Sequence, residues 1–391
     1  MVKCKVWPEL EECNCIKVEN KILYFSSNVN ALCSIHIKSG MVEMVESLYD
    51  EFFDRTALIS GIYRYKDEIL CVPLLAEHIY MLDLKNGGGH TFPDIEAVQK
   101  GRFYNFCIVD QYCYMFPLIG DVVLKLDLDK RDITETCNIK KLYQKFAGQG
   151  YAYFSYSGCY RLGESIYMVM DDMPIIAEYH TLSATFTFHK IGGESPEYTQ
   201  LVGCKDLLYI MGSEGTIYIW NVKSHAIEKI LKMELHENET ERFKHSVKYR
   251  NYLYLFKYIY SDEFIRINME TGDAEVLALS ALFHVDDMMN FMLMEDGKFY
   301  FLSQRKMLYC IDFEAEKVWT LPLILNQTGI SDFISTHLGE LDEKVEGMIY
   351  EGNYVWTLEN YIKRYVKTTN HSSGGQEKNI GALIYRSSFD N

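Results

Sequence analysis

A hairpin flanked by apolar, tyrosine-rich strand sequence returns eight times along this chain, and that recurrence limits the possible fold more than any other feature. VENKILYFSS, YKDEILCVPL, VDQYCYMFPL, LGESIYMVMD, CKDLLYIMGS, YRNYLYLFKY, EDGKFYFLSQ and YEGNYVWTLE each read as two strands around a polar turn, near Asn20, Asp67, Asp110, Glu164, Asp206, Asn251, Gly297 and Asn353. Their mean spacing is about 48 residues, a period that belongs to stacked repeat units. A second marker keeps step with the first. Strand-turn-strand segments such as EHIYMLDLKNGG, DVVLKLDLDKRD, GTIYIWNVKSHA, SDEFIRINMETGDAEVLAL and MLYCIDFEAEKVW follow the hairpins, with third strands centred near His36, Asp83, Asp127, His180, Asn221, Asn268, Asp312 and Tyr365.

Each unit therefore holds four short strands. Tyr, Ile, Val, Phe and Leu fill them, and Asp, Asn, Gly, Lys and Glu gather at the reversals. IYMLDL and LYLFKY are apolar on both faces, which calls for sheets covered on both sides. Radial stacking supplies that cover, because every sheet gains a neighbour on each face and closure removes unprotected ends. The METGD segment then reads as the turn between the third and fourth strands of one sheet, with Gly87, Gly272 and Ala315 at equivalent turns. Antiparallel parity puts these turns at the end opposite Asp171, in a second-to-third-strand loop, and Asp286, at an inner-strand entrance. Tyr24, Tyr167, Tyr209, Tyr254 and Tyr300 read as equivalent, buried second-strand positions.

In these segments the chain resembles the β-propeller superfamily. IYIWNVKS, with Trp220 and Asn221 ending a strand, is similar to a relaxed Trp-Asp repeat. IDFEAEKVW, ending at Trp319, resembles a bacterial quinoprotein-type blade, and INMETGDAEVL resembles the strand and Thr-Gly turn of many bacterial propellers. The resemblance implies an all-β fold, a closed β-propeller of four-stranded blades in which 1–391 form a single domain. Eight units imply eight blades. Two other arrangements are open: the N-terminal KCKVWP segment completes the last blade as its outer strand, or seven blades form because one unit, the fourth, is irregular. Each motif occurs once, so the resemblance transfers no functional residue and assigns no cofactor.

With 48% hydrophobic and 14% aromatic residues in 391, the chain can bury a large core. Its formal net charge of −16 repels phosphate backbones and anionic headgroups, which argues against nucleic acid or a membrane surface as a partner. The N-terminal MVKCKVWPELEE lacks the apolar core of a signal peptide, and no run approaches the roughly 20 apolar residues of a membrane helix. These features point to the cytoplasm. Eleven cysteines, an odd number scattered through apolar runs, read as buried thiols in a reducing compartment. Cys13 and Cys15 form C-x-C with no second pair at metal-site spacing.

Four connections exceed what a propeller needs: 46–57, 138–150, 231–243 and 323–344. Each lies between an outer strand and the next inner strand, on the face shared with the second-to-third-strand loops, where a rigid frame tolerates variable loops. Neither G-x-S-x-G nor H-E-x-x-H occurs; NGGGH (86–90) is a turn without a following helix, and SYSGC near Ser157 lacks the first glycine of the elbow motif. Candidate binding residues on the loop-bearing face are of two kinds. Asp171 and Asp172 in MDDMP, and Asp286 and Asp287 in FHVDDMMNF with His284 and His245 at similar places, offer carboxylates for a calcium ion, a cationic ligand or acid–base chemistry on a sugar. Arg102 and Tyr104 in GRFYNF, Tyr151 in GQGYAYF and Lys244 in ERFKHS set cations beside aromatic rings, a combination that grips a carboxylate or stacks on a sugar. The favoured function is a non-catalytic binding or assembly scaffold that presents this face to a protein or peptide. The alternative is a carbohydrate- or lactone-directed enzyme or sensor, taking a small-molecule or glycan ligand with clustered carboxylates and a divalent metal.

Overall fold

The computed structural model describes residues 4–5, 14–26, 31–48, 58–141, 154–170, 174–191, 197–212, 215–232, 243–257, 263–278, 289–295, 297–303, 307–312, 317–326, 328, 348–350 and 353–355. The chain divides into two compact units. The larger comprises Pro8–Phe52 and Thr56–Asn326; the smaller comprises Met1–Trp7, Phe53–Arg55 and Gln327–Asn391.

The larger unit is a β-propeller of seven four-stranded antiparallel blades. Their first strands are Ile16–Val18, Ile59–Tyr65, Arg102–Val109, Phe154–Leu162, Tyr198–Cys204, Phe243–Tyr249 and Met289–Glu295, and the first strands of successive blades pack on one another. In every blade the strands follow chain order from first to fourth. Seven of the eight sequence hairpins form as read, from Val18↔Lys21 in blade 1 to Glu295↔Lys298 in blade 7. The count of eight blades is corrected to the alternative, seven. The eighth hairpin, Tyr350↔Asn353, belongs to the smaller unit, where Cys4–Lys5 pairs antiparallel with Asn353–Val355 to give a three-stranded sheet. The N-terminal segment thus adds directly to the second strand of that hairpin, not as an outer fourth strand. The fourth unit, read as the one most open to irregularity, makes a complete blade.

The blades adhere through apolar layers between consecutive sheets. Between blades 3 and 4, Tyr114, Phe116 and Val123 meet Met168 and Tyr179, whose ring lies 5.6 Å from Tyr114 and 5.5 Å from Phe116. Burial of rings at these separations removes large apolar areas from water and favours tilted, edge-on contacts. The second-strand tyrosines are buried as expected, with Tyr24, Tyr167, Tyr209, Tyr254 and Tyr300 all 5% exposed or less. One equivalence is off by a residue. Tyr167, Tyr209, Tyr254 and Tyr300 all stand two residues after their hairpin pair, whereas Tyr24 stands three after Lys21. That step turns its side chain to the other face of the sheet.

A shared latch fixes one end of the blades. In blades 2, 3, 5 and 6 the polar residue ending the third strand caps the turn that follows: the Oδ1 of Asp83, Asp127, Asn221 and Asn268 each accepts from the backbone N–H two and three residues on. The next residue then donates its N–H to a carbonyl of the first hairpin, as in Leu84 to Asp67 (3.1 Å), Leu128 to Gln111 (2.9 Å), Val222 to Asp206 (2.9 Å) and Met269 to Asn251 (2.7 Å). Both turns therefore share one end, as parity requires. Gly87 and Gly272 lie there; Ala315, Asp171 and Asp286 fall outside the described residues.

After blade 7 the chain returns to blade 1. Ile324–Leu325 pairs in parallel with Met41 and Val42, Ile324 N–H donates to Gly40 O at 2.8 Å, and Asn326 Nδ2 donates to Glu43 Oε1 at 3.3 Å. Gly40 has φ +71°, and a Cβ there would stand 2.1 Å from the Pro322 carbonyl oxygen. Only glycine fits both the left-handed turn and this close approach.

Candidate functional site

The ends opposite the latches are built differently, and their shared feature is a β-bulge. The first strand of blade 2 passes from Ile59↔Pro73 to Gly61↔Val72, leaving Ser60 without a partner in the ladder. The same step recurs at Tyr104 in blade 3, Thr199 in blade 5, Lys244 in blade 6 and Asn290 in blade 7. Five chemically different residues thus occupy one structural position near the entrance of the first strand. A bulge bends its strand and re-aims the extra side chain, which is why bulges gather at functional rims. Blade 4 departs further, from Phe154↔Met170 to Cys159↔Met168, so that 155–158 oppose Val169 alone. SYSGC falls here.

In two blades the bulge side chain bonds to the neighbouring strand. Ser60 Oγ donates to Val72 O at 3.2 Å, and Thr199 Oγ1 donates to Met211 O at 3.4 Å, the corresponding carbonyl of blade 5. Proline stands opposite the residue preceding the bulge in two blades, Pro73 facing Ile59 and Pro117 facing Phe103. Lacking an N–H, proline suits a place where ladder pairing is already interrupted. Of the residues that follow a bulge, Asn105 is 5% and Gln200 3% exposed, and His245 takes the same register in blade 6.

Of the ten sequence-derived site residues, four can be located. Tyr104 and Lys244 are bulge residues, His245 follows the second of these, and half-buried Arg102 opens the first strand of blade 3, paired with Ile119. Tyr151, Asp171, Asp172, His284, Asp286 and Asp287 lie outside the described residues. Reading the sequence missed Ser60, Asn105, Thr199, Gln200 and Asn290. The prolines of EILCVP and YCYMFP were the available signal, since proline inside a strand marks an edge or a bulge. Among the described residues, no three His, Cys, Asp or Glu side chains stand together as metal ligands.

A second polar cluster lies between blades 4 and 5, towards the latched end. Glu178 is 7% exposed; Tyr167 OH donates to its Oε1 at 2.8 Å and the His189 imidazole contacts its Oε2 at 2.7 Å. Burial opposes its charge, but hydrogen bonds from His189, Ser165 and Tyr167, with His180 nearby, outweigh burial and hold the carboxyl at about 2. Burial and the same carboxylate push the Tyr167 hydroxyl upward. The His189 ring in turn sits 5.0 Å from both Trp220 and His225 of blade 5. All three donors to Glu178 come from its own blade, so the cluster ties that sheet together and orients the face that meets blade 5.

No protein-family model matches this chain, and no curated protein matches it in sequence. Solved structures do match in fold. The computationally designed Ika8 protein superposes with a TM-score of 0.55 at 7% identity, covering 81% of this chain and 87% of that one. PorZ, an essential bacterial surface component of the type-IX secretion system of Porphyromonas gingivalis, superposes with a TM-score of 0.53 at 14% identity. That match covers 81% of this chain and 38% of PorZ, so the chain spans well under half of that protein's length. Identities this low speak for architecture alone. By strand order and by these likenesses the chain is a β-propeller, of no specific family.

Proposed function

We propose that the protein is a non-catalytic binding or assembly scaffold whose loop-bearing end takes a protein or peptide partner. One observation carries this reading: the bulge position is kept in five blades while its residue changes from Ser60 to Tyr104, Thr199, Lys244 and Asn290. A constant backbone with varied side chains is how a frame offers different contacts at regular intervals, and loops on such a frame tolerate the variation recognition needs. Tyrosine, lysine and the nearby Arg102 are side chains able to anchor a partner at a central patch. Nine cysteines from Cys15 to Cys310 are free thiols, which supports placing the protein in the cytoplasm.

The test begins with isolation of a stoichiometric partner from the source cell, followed by affinity measurements with Arg102→Ala, Tyr104→Ala and Lys244→Ala. Each is expected to weaken binding about tenfold or more with melting temperature unchanged, as truncated hot-spot residues do. Asn268→Ala, at the latched end, is expected to leave affinity alone. Unchanged affinity in all three loop-end variants overturns the proposal. Divalent-metal-dependent cleavage of a glycoside or lactone that disappears in Asp286→Ala would replace it with the enzyme reading.

A further inference from the structure

Two cysteines from different blades meet where the first strands of blades 3 and 4 pack together. Cys107 lies in Arg102–Val109 and Cys159 in Phe154–Leu162, just beyond the widened bulge of blade 4. Both belong to one apolar layer, with Cys107 8% exposed and Cys159 half-buried at its margin. The Cys159 thiol donates to the carbonyl of Phe106, the residue before Cys107, at 3.0 Å, which sets the two cysteines side by side in the layer between blades 3 and 4. Neither is needed for a metal site, and the binding proposal uses neither.

The pair is chemically asymmetric. The neighbouring Cys159 thiol favours the Cys107 thiolate, burial opposes it, and the Arg161 guanidinium assists, so that Cys107 is shifted down from the ordinary thiol value. Cys159 is driven the other way by its neighbour Cys107 and by burial. A thiol inclined to ionise beside a second thiol is the setting in which the first reacts with an oxidant and the second resolves it. Cys113, fully buried in the adjacent strand, is pushed well up by burial.

We propose that Cys107 and Cys159 form a redox-modification site at which a peroxide converts the two thiols into a disulfide joining blade 3 to blade 4. The Cys107 thiolate attacks one peroxide oxygen; the O–O bond breaks, hydroxide leaves, and the sulfur, oxidised by two electrons, becomes a sulfenic acid. The Cys159 thiol then attacks that sulfur. An S–S bond forms, the S–O bond breaks, and the departing hydroxide takes the Cys159 proton as water. Two thiols and one hydrogen peroxide give one disulfide and two waters. In a reducing compartment such a bond is transient and reports oxidant, unlike a structural bridge.

The experiment treats the full native chain with a small molar excess of hydrogen peroxide, alkylates the remaining thiols, and maps peptides without reduction. A cross-linked peptide containing Cys107 and Cys159, two hydrogens lighter than the sum of its reduced parts, is expected, with two thiols lost per chain and recovered by dithiothreitol. In Cys159→Ser the Cys107 sulfenic acid should accumulate and be trapped by dimedone; in Cys107→Ser, Cys159 should oxidise about tenfold more slowly. Should either variant fail to fold, mapping of the unaltered chain decides alone. Continued alkylation of both cysteines after other thiols have been consumed, or a bridge from Cys107 to Cys113, overturns the proposal.

Discussion

At one end of each blade the chain reverses through two-residue hairpins and capped turns that hydrogen-bond to each other; at the other it passes through connections of unequal length and enters the next blade over a bulge. The first end is nearly the same object repeated. Its hairpins place Glu19, Lys66, Asp110, Lys205 and Arg250 at φ between 52° and 57°, a left-handed conformation that non-glycine residues adopt at some cost. The carbonyl of the following residue then receives the third-to-fourth turn. The second end has connections 48–58, 92–101, 139–153, 191–197, 233–242 and 279–288, which range from 7 to 15 residues. Repetition marks the part of the molecule that holds the fold, and departure from repetition marks the part with freedom to recognise something.

The largest effect is expected at the latched end, where blade 7 returns to blade 1. Gly40→Ala forces a Cβ to within 2.1 Å of the Pro322 carbonyl at a left-handed φ, and both the strain and the overlap count against the fold. A loss of about 3 kcal/mol is expected in denaturant unfolding. A loss below about 1 kcal/mol would show that the Ile324–Leu325 pairing contributes little to the fold.

Glu178 gives the next effect and makes it pH-dependent. Its carboxyl is held at about 2 in the folded chain, well below its value of 4.5 when free. A depressed carboxylate stabilises fully above the unfolded pKa, and that stabilisation is lost as pH falls through the folded one. Glu178→Gln is therefore expected to cost about 2 kcal/mol at neutral pH, less than the full shift implies because the glutamine amide oxygen still accepts part of the hydrogen bonding. Wild type and variant should converge between pH 4.5 and about 2. A gap independent of pH would mean that side-chain shape, not charge, matters there.

The capped turns come third. Asn268→Ala removes the acceptor for the Glu270 and Thr271 N–H groups (2.9 and 3.3 Å), and Asn221→Ala the equivalent one in blade 5. Each should cost about 1 kcal/mol, the usual worth of a side-chain cap on backbone donors. Asp83 and Asp127 do the same work as carboxylates, both held below their ordinary range chiefly by the backbone N–H groups they accept. Acid should therefore weaken those two turns while leaving the asparagine turns of blades 5 and 6 untouched.

How much the sequence disclosed follows the same division. The latched end was legible because its geometry favours particular residues: a polar pair at the hairpin, Asp or Asn ending the third strand in most blades, and glycine at Gly40 or Gly272 where φ is positive. The blade count was less legible, because the eighth hairpin looks like the others and only its pairing with Cys4–Lys5 distinguishes it. The slip at Tyr24 shows the limit of reading strands by composition, since KILYFS is apolar on both faces and offers no alternation to fix the register. Bulges were hidden for a related reason: one extra residue in a strand buried on both sides leaves the apolar pattern intact. Arg102, Tyr104, Lys244 and His245 were found by their chemistry, not by the bulges that group them. The meeting of Cys107 with Cys159 depends on packing between blades and has no local signature.

The smallest expected effect on stability tests the comparison most directly. Thr199→Ala and Ser60→Ala each remove one hydroxyl bond to a second-strand carbonyl, at 3.4 and 3.2 Å, and leave the backbone pairing on both sides of the bulge in place. If the bulge is held by the ladder around it, as the register from Tyr198↔Gly212 to Gln200↔Met211 requires, the side chain is free to vary and either change should cost no more than about 0.5 kcal/mol. The outcome is read beside Asn268→Ala by chemical denaturation under the same conditions. Two small losses at the loop-bearing end against a larger one at the latched end would separate frame from display surface. Losses above about 1 kcal/mol in both bulge variants would mean that the hydroxyls themselves set the bulge, making the row in blades 2 and 5 part of the frame and confining the proposed contact surface to Arg102, Tyr104 and Lys244.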